Sequence, residues 1–430
     1  MKVLVIGAGG REHAICWKLR QSPLITELYC APGNPGIAEI ADLVPIAVDE
    51  IHKLADFAAE LSMDLTVVGP ELPLVLGIAD ELTRRGLAVF GPNKRAAELE
   101  GSKVFAKEFM RRHSIPTAPF EVAHDASEAR RLGRRFGFPV VLKADGLAAG
   151  KGVYVVRDAA AFEESLRIFF EQKRFGAAAG RLVIEDCLEG EEVSLMALCD
   201  GRGLLPFAAA KDYKRLREDD EGPNTGGMGA HSPTSVMPSG VGAAIIEQVL
   251  TPTVRGLAAE SRDFVGVLYA GLMLTREGPR VLEYNVRFGD PEAQPLLLRL
   301  SDDLLPILAQ GAAGRFETQR LHFTKSAAAC VVLASRGYPE TPTKGEAISG
   351  IERALAHPEV AVFHAGTART DSGLVTAGGR VLDVCACGNN LREALRRAYV
   401  ASAEITWPSK ILRRDIGRRV LERPVSGSGS

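Results

Sequence analysis

The sequence lacks the features typical of secreted, membrane-spanning and metal-thiolate proteins. Its 430 residues include seven scattered cysteines, with no CxxC pair and no Cys/His spacing suited to zinc. No apolar run approaches the roughly 18 residues that a membrane-spanning helix needs, and the N-terminal run over 3–6 is too short for a signal peptide. We therefore expect buried thiols in a reducing, cytoplasmic compartment and no membrane partner.

The sequence also lacks an excess of charge of either sign. Lys and Arg total 52 against 54 Asp and Glu, so no overall field favours nucleic acid or an anionic surface. Any anionic ligand must be held by local groups. The sequence does not fix the oligomeric state, and a monomer is compatible with it.

The sequence does contain short apolar runs that alternate with helical patterns, and this alternation predicts an α/β fold. We expect a doubly wound parallel sheet over 1–101, a middle part over 102–325 and a C-terminal α+β part over 326–425. Within the middle part, the Pro-bounded stretch 117–190 is expected to form a small lobe, and 191–325 the central portion.

The N-terminal run "VLVIGAGGREHAI" resembles a dinucleotide-binding turn but departs from it in two ways. Gly7 and Gly9 fit, whereas Glu12 stands where a third glycine lets the helix pack on the strand. The next apolar run ends at Cys30 and Ala31 without the acid that would bind a ribose. We expect the strand, turn and helix to form without binding NAD.

Residues 140–156 predict a flap, in which two β-like runs flank a glycine-rich loop. The spacing is not that of a Walker A loop, because three residues separate the glycines and Gly152 follows the lysine. Backbone amides of such a loop can surround phosphates, with Lys143 on the entering strand as a point charge. A flexible hairpin with a solvated lysine is the alternative. The loop residues concerned are Gly146, Gly150, Lys151 and Gly152.

Two acids follow about forty residues later in "RLVIEDCLEGEEVSL". Glu185 closes a β run and Glu192 lies seven residues beyond it. Backbone groups in a hinge between strands can bind adenine, and a carboxylate beyond the hinge can bind ribose hydroxyls. A solvated acidic turn is the alternative.

The run "RVLEYNVRFGDPEAQ" carries a candidate metal site. Strand alternation places Glu283 and Asn285 on one face with Val281 beside them, and Leu282 and Tyr284 on the other. One carboxylate and one amide oxygen suit Mg²⁺, which takes few protein oxygens plus water and phosphates. A strand that faces solvent is the alternative.

The same run continues with two candidate catalytic groups. Arg287 extends the face of Glu283 and could neutralise a transferring phosphoryl oxygen, and the turn over 289–291 presents Asp290.

These elements, in this order, resemble the ATP-grasp superfamily. Within it the chain is similar to the phosphoribosylamine–glycine ligase family from residue 1 to about 420. The resemblance is carried by "GGREHA", "APGN", "VGPE", "GSK", "KADGLAAGKGV", "GPNTGGMGA" and "RFGDPE". It departs at Tyr213 in "KDYKR", where a histidine is common in the family.

The resemblance implies an ATP-grasp fold and a ligase that uses ATP with Mg²⁺ or Mn²⁺. ATP would lie between the lobe and the central part, with Lys103 and Lys143 near its phosphates, Glu185 and the Leu188 backbone at adenine, and Glu192 at ribose. Glu283 and Asn285 would bind the metal.

The other substrates would be glycine and 5-phosphoribosylamine, joined through glycyl phosphate in purine biosynthesis. The N-terminal turn, with Gly10, Glu12 and Glu71, would bind phosphoribosylamine, and Asp290 would bind its amine or glycine. The loop Asn224, Thr225, Gly226 and Gly227 would close over the site. Arg414, in a basic cluster with Lys410 and Arg413, would bind the 5′-phosphate, although a solvated helix face explains this cluster equally well.

Three other functions remain open from the sequence. The nearest is another ATP-grasp ligase of purine synthesis that uses a different small carboxylate, such as formate or bicarbonate. The second is a nucleotide-binding protein without activity, and the intact Lys143, Glu283 and Asn285 argue against it. The third is a nicotinamide oxidoreductase, which Glu12 disfavours.

Overall fold

The N-terminal part forms a parallel sheet, as predicted. The computed structural model of the chain describes residues 1–147, 152–172, 180–234, 237 and 240–422. The first five strands pair in parallel in the order β3-β2-β1-β4-β5. They are β1 Lys2–Gly7, β2 Glu27–Pro32, β3 Asp42–Leu43, β4 Leu65–Val68 and β5 Val89–Phe90. Five helices accompany them: α1 Gly10–Leu19, α2 Ile51–Glu60, α3 Glu71–Leu76, α4 Ile78–Arg84 and α5 Lys94–Gly101.

A capped helix leads from this sheet into the lobe. Helix α6 (Lys103–Arg112) begins after Ser102, whose hydroxyl accepts a hydrogen bond from the Phe105 amide at 3.0 Å. The lobe is an antiparallel sheet in the order β6-β9-β7-β8. Its elements are β6 Phe120–Ala123, α7 Ala126–Phe136, β7 Val140–Ala144, β8 Val153–Val156, α8 Ala159–Leu166 and β9 Leu182–Asp186. Gly150 and Lys151, predicted at phosphate, lie outside the described residues.

The central sheet carries the predicted metal strand. Its antiparallel order is β11-β10-β16-β17, with β10 Glu191–Asp200, β11 Leu204–Pro206, β16 Val265–Thr275 and β17 Gly278–Asn285. Helices α9 Val241–Ile245, α10 Thr251–Ala259, α11 Ala293–Arg299 and α12 Leu304–Ala312 belong to the same part of the chain.

The predicted face assignment in β17 is wrong for two residues. The pairing of β17 with β16 shifts by one residue, from Gly271 opposite Glu283 to Leu272 opposite Val281, so Leu282 is the extra residue of a bulge. Val281 consequently shares a buried core with Tyr284, whereas Leu282 lines the cavity described below. Tyr284 is buried as predicted.

The C-terminal sheet recruits strands from the middle of the chain. Its order is β12-β15-β18-β22-β19, with β23 on the edge of β18. The strands are β12 Lys211–Asp212, β15 Gly229–Ser232, β18 Ala327–Ser335, β19 Val360–His364, β22 Arg380–Gly388 and β23 Lys410–Ile411. Two hairpins, β13 Arg215–Arg217 with β14 Glu221–Asn224 and β20 Thr367–Thr370 with β21 Gly373–Thr376, lie outside it, and helices α13 Ile351–Leu355, α14 Leu391–Glu404 and α15 Arg418–Glu422 complete this part.

All seven cysteines fall in the described residues and are free thiols. Within those residues, no helix has the length and apolar character to cross a membrane.

Candidate active site

One cavity of about 920 Å³ opens where the N-terminal sheet, the lobe, the central sheet and the C-terminal sheet meet. This volume is in the range of a site for a nucleotide-sized ligand. Fourteen of the residues predicted from the sequence line it: Glu71, Lys103, Lys143, Gly152, Glu185, Leu188, Glu192, Asn224, Thr225, Gly226, Glu283, Asn285, Arg287 and Asp290.

At the lobe end, two lysines converge on one buried carboxylate. Lys143 Nζ lies 2.5 Å from Glu185 Oε1, and Lys107 contacts the other oxygen of Glu185. Lys143 also donates to the Leu282 carbonyl at 2.7 Å, which ties the lobe to the central sheet. Burial lowers the pKa of Lys107 to about 8. Glu185, expected at adenine, is thus the counterion of two lysines.

Lys103 extends this positive region to the flap. Its Nζ donates to the Gly146 carbonyl at 2.9 Å, and burial lowers its pKa. Asp145 beside it accepts from Ser102 Oγ at 2.7 Å and from the Val104 amide at 3.1 Å. The start of helix α6 and the flap therefore form one connected unit.

The predicted metal ligands lie at the end of strand β17, beside the Leu282 carbonyl to which Lys143 donates. Glu283 Oε1 accepts from Lys214 Nζ at 3.0 Å, and the Lys214 ammonium lowers the pKa of Glu283 to about 2. Asn285 Oδ1 accepts from Arg287 Nη2 at 3.1 Å. Glu283 is thus ionised, and the amide of Asn285 is oriented by its neighbour.

Arg287 is held by two acids from the N-terminal part. Its Nε donates to Glu71 Oε2 at 3.2 Å, and its Nη2 lies 3.0 Å from Glu100 Oε1. Glu100 Oε2 accepts from the Val286 amide at 2.7 Å. Burial raises the pKa of Glu100 to about 7. Burial alone would raise the pKa of Glu71, but the nearby charge of Arg287 helps to bring it below its ordinary value.

Asp290 and the glycine loop are joined by an arginine of the C-terminal sheet. Arg380 Nη2 donates to Asp290 Oδ2 at 2.6 Å, and Nη1 donates to the Asp290 and Gly226 carbonyls at 2.7 Å each. The Gly226 amide donates to the Tyr338 hydroxyl at 2.8 Å. The adjacent Gly227 has a φ of 114°, a conformation that favours glycine.

A second carboxyl lies behind Asp290. Gln294 Nε2 donates to Asp290 Oδ1 at 2.9 Å and to Asp383 Oδ2 at 2.8 Å. Burial and the charge of Asp290 raise the pKa of Asp383 to about 7. A Cβ at Gly10 would overlap the Asp383 carboxylate. Gly10 therefore permits close packing between helix α1 and the C-terminal sheet, and it does not line the cavity.

Glu12 lies beneath the cavity wall, and the expectation that it binds substrate is not supported. Its oxygens accept from the Gly9 amide at 2.7 Å and from Arg11 Nε at 2.5 Å, and only 2% of the residue is exposed. A Cβ at Gly7 or Gly69 would overlap its side chain. Glu12 caps helix α1 and fills the space between two loops. This packing explains why a glutamate replaces the third glycine of a dinucleotide turn.

The basic cluster of the C-terminal part was predicted to bind the 5′-phosphate, but it does not reach the cavity. Arg413 is buried against Asp415 at 2.7 Å and lies over the Tyr213 ring at 5.2 Å. Lys410 donates to the carbonyls of Ser402 and, closer still, Ile405 near the end of helix α14. Arg414 is exposed and is not among the lining residues. Tyr213, where the resemblance departs, has a structural role as the platform for Arg413.

Several charged residues that line the cavity were missed from the sequence, among them Lys107, Glu100, Lys214 and Arg380. Lys107 carried a usable signal, because it follows Lys103 by one helical turn and so shares its face. Glu100, Lys214 and Arg380 carried none, since their positions depend on contacts between distant parts of the chain.

Family comparisons agree with this arrangement. The chain matches three family models of phosphoribosylglycinamide synthetase: the N domain over 1–100, the ATP-grasp (A) domain over 101–293 and the C domain over 328–419. It is 48% identical to the phosphoribosylamine–glycine ligase of Mesorhizobium japonicum and 47% identical to that of Brucella melitensis. Both alignments cover 98% of this chain and 99% of the relative.

Solved structures give the same picture. The phosphoribosylamine–glycine ligase of Thermotoga maritima is 36% identical, with a TM-score of 0.84 over 96% of this chain and all of that one. The biotin carboxylase domain of a Hydrogenobacter thermophilus 2-oxoglutarate carboxylase, solved with MgADP, shares only the fold, at 17% identity and a TM-score of 0.71 over 95% of this chain and 91% of that one. The predicted ATP-grasp α/β fold is therefore confirmed, and the chain belongs to the phosphoribosylglycinamide synthetase family of ATP-grasp ligases.

Proposed function

We propose that the chain joins glycine to 5-phosphoribosylamine with ATP, giving glycinamide ribonucleotide, ADP and phosphate in purine biosynthesis. Family membership supports this, and one observation carries it. A single cavity brings together the lobe lysine Lys143, the hard oxygen donors Glu283 and Asn285, Asp290, and Glu71 of the N-terminal part. This grouping supports adjoining sites for the three substrates that must meet for one reaction.

ATP would bind between the lobe and the central sheet. Lys143 and Lys103 would contact its phosphates beside Gly146 and Gly152, while Leu188 and Glu192, which line the same cavity, would contact the nucleoside. Entry of the phosphates would give the lysines of Glu185 a new partner. This would free its carboxylate to interact with adenine.

The donor set fits a divalent cation. Within the described residues no three His, Cys, Asp or Glu side chains form a metal cage. Glu283 and Asn285 nevertheless offer one carboxylate and one amide oxygen in the same cavity that Lys103 and Lys143 line. Mg²⁺, which keeps water and phosphate ligands, matches such a sparse set, and so does Mn²⁺. When bound there, the cation would neutralise charge on the phosphates.

The chemistry follows from the poor reactivity of a carboxylate, which has no good leaving group. The glycine carboxylate attacks the γ-phosphorus of ATP, and ADP leaves, giving glycyl phosphate. The amine of phosphoribosylamine attacks that carbonyl, loses a proton, and phosphate leaves with formation of the amide. No covalent intermediate with the protein is required. Positioning and charge neutralisation therefore do most of the work.

The arginine and the aspartate then have distinct roles. Arg287 would act as a positioning residue, because its donors are engaged by Glu71, Asn285 and Glu100. It would keep the Asn285 oxygen aimed at the metal. Asp290, held by Arg380, would orient the amine of phosphoribosylamine, with Glu71 at the ribose hydroxyls.

The organisation of the protein is part of the proposal. We infer functional parts at 1–101, 102–325 and 326–425, with the lobe at 117–190. The seven free thiols support a cytoplasmic location. The substrates are small molecules, and we assign no nucleic acid or membrane partner.

A steady-state assay tests the function. We expect activity only with ATP, Mg²⁺, glycine and phosphoribosylamine together, and ADP and orthophosphate as products. Release of AMP and pyrophosphate would contradict the acyl phosphate route. Equal turnover with formate or bicarbonate in place of glycine would instead favour another purine ligase.

A further inference from the structure

The two lysines that hold Glu185 come from different elements and have different second partners. Lys143 lies on strand β7, which enters the flap, and it also donates to the Leu282 carbonyl at 2.7 Å. Lys107 lies on helix α6, and its Nζ also donates to Thr117 Oγ1 at 2.6 Å. Within the part of the chain that the structure describes, these lysines are the only cationic groups within 4.0 Å of the Glu185 carboxylate.

Lys107 is anchored more firmly than a lysine on the flap strand. Its partner Thr117 is fixed to strand β17, because Thr117 Oγ1 donates to the Val281 carbonyl at 2.7 Å and Arg280 Nη1 donates to the Thr117 carbonyl at 3.1 Å. Lys107 Nζ also lies 5.7 Å from the centroid of the Phe120 ring, and only 2% of the residue is exposed. Lys107 should therefore keep its position when phosphates enter the flap.

The charge of Glu185 depends on these lysines. Glu185 is 2% exposed. Burial alone would raise its pKa, but the charges of Lys143 and Lys107 bring the pKa below its ordinary value. A buried carboxyl that lost both partners would take up a proton and become a hydrogen-bond donor as well as an acceptor.

The wall around Glu185 suits a flat base. Val141 lies opposite Glu185 in the strand register, and it lines the cavity together with Met110 and Leu188. Adenine carries an amino group where guanine carries a carbonyl oxygen. An ionised carboxylate in this wall therefore accepts from adenine and repels guanine, whereas a protonated carboxyl can bind either base.

We propose that Lys107 is a positioning residue that keeps Glu185 ionised and directed at the base while Lys143 moves to the phosphates, and that Lys107 thereby sets the preference for ATP over GTP. The proposal rests on the proposed function, which places the nucleotide between the lobe and the central sheet. Lys107 acts through Glu185 and needs no contact with the nucleotide itself.

Lys107→Met is the direct test, since it removes the charge and retains an unbranched apolar side chain. Isothermal titration of the full chain with Mg²⁺ and the non-hydrolysable imido analogues of ATP and GTP measures the preference for the base. We expect the ratio of the two affinities to fall at least about tenfold, because Glu185 loses its role as a pure acceptor. Arg111→Met is the matched control, because Arg111 is exposed and lies over the same Phe120 ring, 4.8 Å from its centroid. It should leave the ratio unchanged.

The pH dependence distinguishes positioning from a merely structural role. With Lys107 present, the ratio should be constant between about pH 6 and about pH 7.5, since Glu185 stays ionised. In Lys107→Met, burial raises the pKa of Glu185 once Lys143 turns to the phosphates. The ratio should then be lowest at about pH 6 and recover as the pH rises and the carboxyl loses its proton.

A double-mutant cycle shows whether Lys107 acts through Glu185. Glu185→Gln should itself lower the ratio, and adding Lys107→Met should change it by less than about twofold. Equal weakening of both analogues by Lys107→Met, with the ratio kept, would overturn the proposal and make Lys107 a direct ligand of the nucleotide. Should Lys107→Met unfold, Thr117→Val removes the anchor of Lys107, and a ratio unchanged in that variant would overturn the proposal as well.

The proposed function fails in a different way. An unmodified protein that prefers the ATP analogue but releases no phosphate with ATP, glycine and phosphoribosylamine would refute the ligase reaction and retain the role of Lys107. An unmodified protein that releases phosphate but binds the two analogues equally would refute the role of Lys107 alone.

Discussion

Arg380 and Asp290 are 90 residues apart in the chain and form a two-point contact, with Nη2 at 2.6 Å from Oδ2 and Nη1 at 2.7 Å from the backbone carbonyl. Arg380 is the first residue of strand β22, and Asp290 lies in the turn after strand β17. The contact makes the C-terminal sheet a wall of the active site and not an appendage.

Removing the arginine from this pair should destabilise the protein. Arg380→Met leaves Asp290 with an uncompensated charge in a mostly buried position, which costs about 3–5 kcal/mol of unfolding free energy. Urea denaturation at neutral pH measures it. Arg353→Met, which breaks an exposed pair with Glu404, should cost about 1 kcal/mol or less. Equal losses in the two variants would show that the Asp290 contact contributes no more than a surface pair.

Removing the negative charge of Glu283 on strand β17 should reduce turnover more than it reduces the free energy of unfolding. We expect Glu283→Gln to reduce kcat by on the order of 10² or more, at least ~2.7 kcal/mol of transition-state stabilisation. The lost pair with Lys214 is partly exposed, so unfolding free energy should fall by about 1 kcal/mol at most. Rates across a Mg²⁺ titration provide the test, with Glu277→Gln in the exposed turn of the same hairpin as control. Near-normal turnover at low Mg²⁺ would remove Glu283 from the metal site.

The neighbouring tyrosine should show the opposite behaviour. Tyr284 is 3% exposed and its hydroxyl lies 2.6 Å from Thr253 Oγ1. Tyr284→Ala should cost about 3–5 kcal/mol as a truncated buried aromatic, while Tyr284→Phe should cost about 1 kcal/mol for one hydrogen bond. Thermal melting measures the stability. The Mg²⁺ dependence of the rate, measured on the protein that remains folded, should be unchanged. A shifted Mg²⁺ dependence in Tyr284→Phe would place this side chain in the site.

The glycine loop offers a test with a closely matched control. Gly227 and Gly373 have φ values of 114° and 113°, but a Cβ at Gly373 would meet nothing within 4 Å. Both alanine variants carry about 1–2 kcal/mol of backbone strain. Only Gly227→Ala also pushes against Pro291 and Asp212, so only it should raise the KM for glycine. Similar kinetics in the two variants would show that the space beside Gly227 is not used by substrate.

Stability should depend on pH through Asp383. Its pKa rises from an ordinary value of 3.8 to about 7 on folding, chiefly through burial. Between about pH 4 and 7 the folded state therefore holds a proton that the unfolded state has lost, so the free energy of unfolding falls across this window and levels off above it. Asp383→Asn should stabilise the protein more at pH 8 than at pH 5 in urea denaturation. The exposed Asp49→Asn should show no such difference, and an equal effect of Asp383→Asn at both values would mean that the carboxyl is ionised throughout.

Local patterns predicted the elements and much of the cavity, and long-range contacts supplied the rest. The parallel sheet over 1–101, the two strands that flank the glycine-rich loop and the strand that carries Glu283 and Asn285 follow from propensity and periodicity. The bulge at Leu282 could not be predicted, because alternation has no signal for an extra residue in one strand. The side chain of Glu12 points into a gap between two loops, and only the packed structure shows that gap.

Strands β12 and β15 pair in one sheet with strands beyond residue 326, and this limits where the chain can be cut into fragments. A fragment that stops at the end of the central part would expose an unpaired strand edge and release the loop that carries Gly226 and Gly227. Such edges favour self-association. Recombination with a foreign C-terminal segment would have to preserve the register of Gly229 against Val331. The three family regions are thus separable in sequence, but the C-terminal sheet is complete only with strands from the middle region.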